Sequence, residues 1–154
     1  MKPTGRRAKT WLLGVSVLGT IVAAETASLE SIAGREWVLR EWDTGEPAPA
    51  QPEVTFAYRD GRAAGTSGCN RYTAAVTAGE GPGEISVGPA AGTRMACPEP
   101  SSSVEARFLK QLAAGKKLGF QSGQLTVSYE KGASAWGRML FAERISSPRP
   151  APRP

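Results

Sequence analysis

The chain has 154 residues, a length that allows one domain with tails. Its net charge of +5 belongs to the two ends: without Lys2, Arg6, Arg7 and Lys9 there are 15 basic against 14 acidic residues, and without Arg149 and Arg153 there are 13 against 14. That balance excludes a nucleic-acid footprint, and the absence of histidine removes Ser-His and Cys-His nucleophile activation and the usual zinc ligands.

Residues 1–24 divide as an export signal does. Four basic residues precede a mostly apolar run from Trp11 to Ala24, and Val22-Ala23-Ala24 supplies the small residues that a signal peptidase accepts. The run is short for a membrane span, which needs about 20 apolar residues, so a cleaved signal is expected ahead of a retained signal-anchor. Arg6-Arg7 is followed by Ala8-Lys9, which makes a weak twin-arginine pattern. No cysteine occurs before Cys69, so a lipoprotein cleavage site is absent. A periplasmic or secreted protein with no stable membrane span is the expectation.

A fold over residues 30–145 follows, in which the dominant period is two. Glu36 to Trp42 reads as a strand with Trp37 and Leu39 on one face and Arg40 and Trp42 on the other. Val54, Phe56 and Tyr58 alternate with Thr55 and Ala57, and Asp60-Gly61 then signals a hairpin. The middle, Ala74 to Ala96, is rich in Gly, Ala and Pro, with a turn at Gly79–Gly83 and a weak strand at Glu84–Val87. One amphipathic helix is predicted over Ser103–Ala114, opened by a Ser102/Glu105 capping box and closed by Gly115 in a left-handed conformation. Val104, Phe108 and Leu112 form its inner stripe, with Leu109 beside them, and Arg107, Lys110 and Gln111 its outer side. Strands at Lys117–Phe120 and Leu125–Glu130 are joined by Gln121-Ser122-Gly123-Gln124, and Lys131–Ser134 turns into a last strand from Trp136 to Ile145. Residues 146–154 place proline at alternate positions, which reads as a disordered Pro/Arg-rich tail.

The two cysteines, Cys69 and Cys97, lie in apparent turns. In an oxidising compartment an even pair is expected to close, so a structural disulfide is favoured. A redox pair or two free thiols are the alternatives, although redox pairs usually sit as Cys-x-x-Cys at a helix start. Ser128-Tyr129-Glu130-Lys131 spells Ser-x-x-Lys, the acylating motif of penicillin-binding enzymes, but strand alternation puts its serine and lysine on opposite faces. Asp43 and Asp60, the only aspartates, both fall in turns. No catalytic residue, metal site or cofactor is expected. Asn70, Arg71, Tyr72 and Arg94 are the candidates for an interaction or turn motif: Asn70 suits a left-handed turn or a local backbone bond. Tyr72 suits the core and Arg94 a glutamate partner.

Gly68-Cys69-Asn70-Arg71-Tyr72 and Thr93-Arg94-Met95-Ala96-Cys97-Pro98, in that order after Trp37-x-Leu39, resemble the META domain, or HslJ-like, family. Glu105, Phe108-Leu109, Leu125-Thr126-Val127 and Leu140-Phe141 extend the resemblance over residues 33–143. It implies an α+β fold in which a strongly curved, open, barrel-like antiparallel sheet carries one main helix. It also implies an exported or envelope-anchored, non-enzymatic bacterial protein, one namesake being heat-inducible and linked to antibiotic tolerance, and an architecture similar to secretion pilotins. The chain departs from the family in lacking a lipoprotein cysteine and in following Tyr72 with Thr73-Ala74-Ala75 rather than glycine. The expected function is a stress-response or assembly role of a monomer binding an envelope protein. The alternative is a carrier of a small apolar ligand in the barrel interior, which needs an unfilled apolar cavity of about 300 Å³. Trp37, Phe56, Phe108 and Phe141 are the side chains that would have to leave it empty.

Overall fold

The computed structural model describes residues 25–145; the expected export signal, residues 1–24, and the expected Pro/Arg-rich tail, residues 146–154, lie outside the described residues. The elements run β1 (Glu25–Thr26), α1 (Leu29–Ile32), β2 (Glu36–Asp43), β3 (Glu46–Pro47), β4 (Thr55–Arg59), β5 (Arg62–Thr66), β6 (Arg71–Ala78), β7 (Ile85–Val87) and β8 (Ala91–Gly92). Then come α2 (Ser101–Ala113), β9 (Gly115–Gln121), β10 (Gln124–Gly132) and β11 (Ala135–Glu143). The strands pair antiparallel in the order β1-β9-β10-β11-β2-β4-β5-β6-β7, with β3 beside β2 and β8 beside β6. The sheet is open in its ladders. Its two ends meet at one bridge, Glu84 to Lys117, reinforced by the Leu118 amide donating to the Gly83 carbonyl at 2.7 Å.

Local chemistry explains the hairpins. Asp60 and Gly61 have φ of 51° and 76°, and Ser122 and Gly123 have 50° and 76°, the paired positive values that let a two-residue turn follow the right-handed strand twist. Arg59 therefore faces Arg62, and Gln121 faces Gln124. Gly132 faces Ala135 across a loop of the same length, but there the register of β10 against β11 shifts between Glu130 and Gly132.

Strand β2 departs from simple alternation. Leu39 faces Phe141, yet Glu41 faces Leu140, so Arg40 is an extra residue in β2. Its side chain is exposed and its carbonyl accepts from the Ala48 amide at 2.7 Å. The bulge resets the period, so Trp42 returns to the inner face and is buried with Trp37 and Leu39 rather than lying outside with Arg40.

Helix α2 begins two residues before its predicted start, at Ser101, with Pro100 as an N-cap that makes no side-chain cap bond. The expected capping box does not form: Ser102 donates to Glu99, and Glu105 is engaged elsewhere. Nor is Gly115 left-handed. It starts β9, where a Cβ would stand 2.9 Å from the Leu112 carbonyl, so the close approach requires glycine. Val104, Phe108 and Leu112 are buried as the stripe predicts, with the Phe108 ring edge-on to Tyr72 at 5.1 Å. Gln111, expected outside, is buried as well, because its amide donates to the Tyr129 hydroxyl at 2.8 Å.

The core lies between α2 and the inner face of the sheet. Trp37, Phe56, Phe108 and Phe141 are each no more than 1% exposed, and the Phe56 and Phe141 rings meet at 5.9 Å. Burial of Phe108 alone stabilises the docking of α2 by about 2–3 kcal/mol. The bulge makes a measurable difference: Trp42→Ala should cost about 3–5 kcal/mol in denaturant unfolding, as a core truncation does. An outward-facing residue at that position would change stability by less than about 0.5 kcal/mol.

Candidate functional site

The two cysteine runs come together at the N-terminal half of α2. After β5, Gly68 turns with φ of 106°, and Cys69 and Asn70 lead into β6. Segment 93–97 leaves β8 and runs alongside. Cys69 and Cys97 are bridged with their Cα atoms 6.1 Å apart, inside the range of roughly 4.4–6.8 Å that a disulfide spans. Both cysteines are half-buried.

Asn70 is the hub. Its Oδ1 accepts from the Thr93 hydroxyl and the Met95 amide, each at 2.8 Å. Its Nδ2 donates to the Met95 carbonyl at 3.2 Å and to Glu105 Oε1 at 3.1 Å. All four hydrogen-bonding positions of the carboxamide are used. Asn70 thus avoids both of its expected roles: Gly68 takes the left-handed position, and the backbone Asn70 holds is 25 residues away. The Thr93 hydroxyl in turn accepts from the Arg71 amide at 3.1 Å, and the Thr93 amide donates to the Arg71 carbonyl at 3.1 Å.

Glu105 anchors this hub to the helix. Its Oε2 accepts from the Ser67 hydroxyl at 2.5 Å and from the Asn70 amide at 2.8 Å. Burial alone would raise its pKa, but these bonds and the Asn70 side chain outweigh it and hold the carboxyl below its ordinary value of 4.5. In the sequence, Glu105 is marked only by the expected capping box and by the family resemblance, and Ser67 is not marked at all. Glu105 sits one position after Val104 and three before Phe108, at the flank of the apolar stripe, and that placement is the available signal for an inward role.

Tyr72 is buried and its hydroxyl donates to the Thr55 carbonyl at 3.0 Å; burial pushes its phenol pKa up. Arg71 and Arg94 are exposed, and neither has an ion-pair partner among the described residues. They border a groove of about 410 Å³ whose floor includes Asn70, Thr93 and Leu109, and Met95 stands beside it, 62% exposed. The structure therefore brings Asn70, Arg71, Tyr72, Arg94 and both cysteines to one end of the fold. It leaves the Ser-x-x-Lys pair apart from this end, with Lys131 bound to Asp43. Among the described residues, no group of three or more His, Cys, Asp and Glu side chains could hold a metal ion.

Three outcomes test this construction. Glu105→Ala strands three donors and should cost about 2–3 kcal/mol by denaturant unfolding. The pH dependence follows from the sign of the shift: with the folded pKa depressed, the Glu105 contribution is complete above the ordinary value of 4.5 and is lost as pH falls through the folded one. Melting temperature should therefore fall less steeply between about pH 5 and pH 2 in Glu105→Gln than in the parent, and parallel curves would refute the coupling. Replacing both cysteines by serine should cost about 3.5 kcal/mol, from the loop of 28-residue separation left unconstrained in the unfolded chain.

Comparison with known proteins bears on the fold and the family. An NMR structure of a protein from Burkholderia xenovorans superposes with a TM-score of 0.63 at 22% identity, covering 88% of this chain and 100% of that one. A second NMR structure gives 0.56 at 19% identity, covering 75% and 93%. At these identities the likeness speaks to the fold alone. No curated protein matches the chain. The family model of the META domain matches residues 30–139, and the chain belongs to the META domain family.

Proposed function

We propose that this chain is a non-enzymatic, HslJ-like protein of the cell envelope, periplasmic or secreted, which acts by binding another envelope protein in stress response or assembly. The face beside Cys69–Cys97 is its contact surface. One observation carries the reading: a disulfide and a saturated Asn70 amide hold the 93–97 loop rigid against the start of β6, and the side chains exposed there include Arg71, Arg94 and Met95. Rigid loops lose little entropy on association, and exposed Arg and Met are residue types enriched at interfaces. Among the described residues neither arginine has an ion-pair partner, which leaves both guanidinium groups for a carboxylate-bearing partner.

The envelope setting rests on the disulfide, which persists in oxidising compartments, and on the export pattern of residues 1–24. Among the described residues, no helix is long and apolar enough to cross a membrane. The curved, barrel-like form of the sheet is supported by the Glu84–Lys117 bridge between its ends. An interior occupied by Trp37, Phe56, Phe108 and Phe141 gives the apolar-carrier alternative no support.

The test is capture from an envelope extract of the producing organism by the exported protein, with intact mass recorded in parallel. The parent should retain a discrete partner, and Arg71→Ser with Arg94→Ser should weaken retention by about tenfold or more without lowering the melting temperature. Equal retention by parent and variant, or free thiols in protein isolated from its own compartment, would overturn the reading.

A further inference from the structure

A second cleft, remote in sequence from the cysteine runs, lies between the C-terminal half of α2, β10 and the β2–β3 corner. It encloses about 350 Å³, at the lower end of the range that suits small ligands. Its rim is fixed by internal pairs. Arg107 forks onto Glu46 at 2.6 and 2.7 Å while its guanidinium stacks 4.8 Å from the Trp42 ring centre, and Lys131 binds Asp43. Those four charges cancel.

Three lining groups remain uncommitted. Lys110 and Glu130 have no ion-pair partner among the described residues. Gln111 is nine-tenths buried, yet its Oε1 accepts no hydrogen bond. The reason is local: Gln111 Nε2 donates to the Tyr129 hydroxyl at 2.8 Å, and Tyr129 spends its own proton on the Trp42 carbonyl at 3.3 Å. The tyrosine has nothing left to give the amide oxygen, and a buried acceptor without a donor is unfavourable. Ala114, the C-cap residue of α2, also lines the cleft, and the carbonyl end of a helix favours positive charge nearby.

The free groups thus divide by sign. Glu130, Gln111 Oε1 and the helix end suit an ammonium, whereas Lys110 suits a carboxylate. We propose that this cleft binds a small free zwitterion of the amino-acid class, with its ammonium toward Gln111 and Glu130 and its carboxylate on Lys110. This site is independent of the partner-binding face.

The test is titration of the full exported protein, labelled with nitrogen-15, by a panel of free amino acids, with ethanolamine and propionate as single-charge probes. At least one amino acid should shift the Gln111 side-chain amide and the Lys110 and Glu130 resonances with a Kd of about 1 mM or tighter. Lys110→Met and Glu130→Gln, both at exposed positions, should each weaken binding by about tenfold while leaving the fold intact. No response to any amino acid, equal affinity for ethanolamine or propionate, or unchanged binding in both variants would overturn the proposal.

Discussion

The carboxylate of Glu105 is the joint on which this arrangement depends. It rises from the helix, and its donors belong to the turn before β6: the Ser67 hydroxyl, the Asn70 amide and the Asn70 side chain. Through Asn70 the same joint reaches Met95 and Thr93, which ties the segment after β8 as well. Three stretches distant in sequence are thereby fixed by one ionised group. The disulfide adds a covalent constraint to a geometry that hydrogen bonds already specify. Asn70 itself is buried, and a buried polar group is stable only when it is satisfied, which explains why its amide uses all of its capacity.

Satisfaction at one end contrasts with incompleteness at the other. At the opposite half of α2 the Gln111–Tyr129–Trp42 chain runs in one direction and stops one bond short. Both halves use the same device, a polar helix residue at the margin of an apolar stripe. The first is closed by the protein itself. The second leaves an acceptor beside a cleft, with Arg107 and Glu46 holding its mouth in place. Helix α2 therefore organises two different surfaces from its two halves.

Much of the fold was legible because its determinants are local. Asp60-Gly61 and Ser122-Gly123 carry the positive φ values a tight hairpin needs, and no distant contact is required to recognise them. The stripe Val104, Phe108 and Leu112 was equally plain. What escaped depended on partners. The bulge at Arg40 exists because β11 fixes the register on that side, and strand alternation alone placed Trp42 outside. Glu105 reads locally as half of a capping box; its true donors lie 35 and 38 positions away. Gln111 reads as an outer residue until Tyr129 arrives from β10. The family motif named residues that the fold gathers beside the disulfide, and the cysteine pairing followed from their even number and the expected compartment. The role of Asn70 could not follow, because its partners, the Met95 backbone, the Thr93 hydroxyl and the Glu105 carboxylate, lie 23 to 35 positions away.

The seam where the sheet ends approach each other has a bearing on how the protein behaves when crowded. The outer edge of β9 is covered in pieces: Thr26 and Glu25 lie against Gly119 and Phe120, and Glu84 lies against Lys117. At the other end, β7 and β8 divide the edge of β6 between them. Each border is thus tiled by fragments of two or three residues, too short to offer a foreign strand a continuous row of amides and carbonyls. The molecule keeps an open sheet without presenting the sticky margin that usually comes with one.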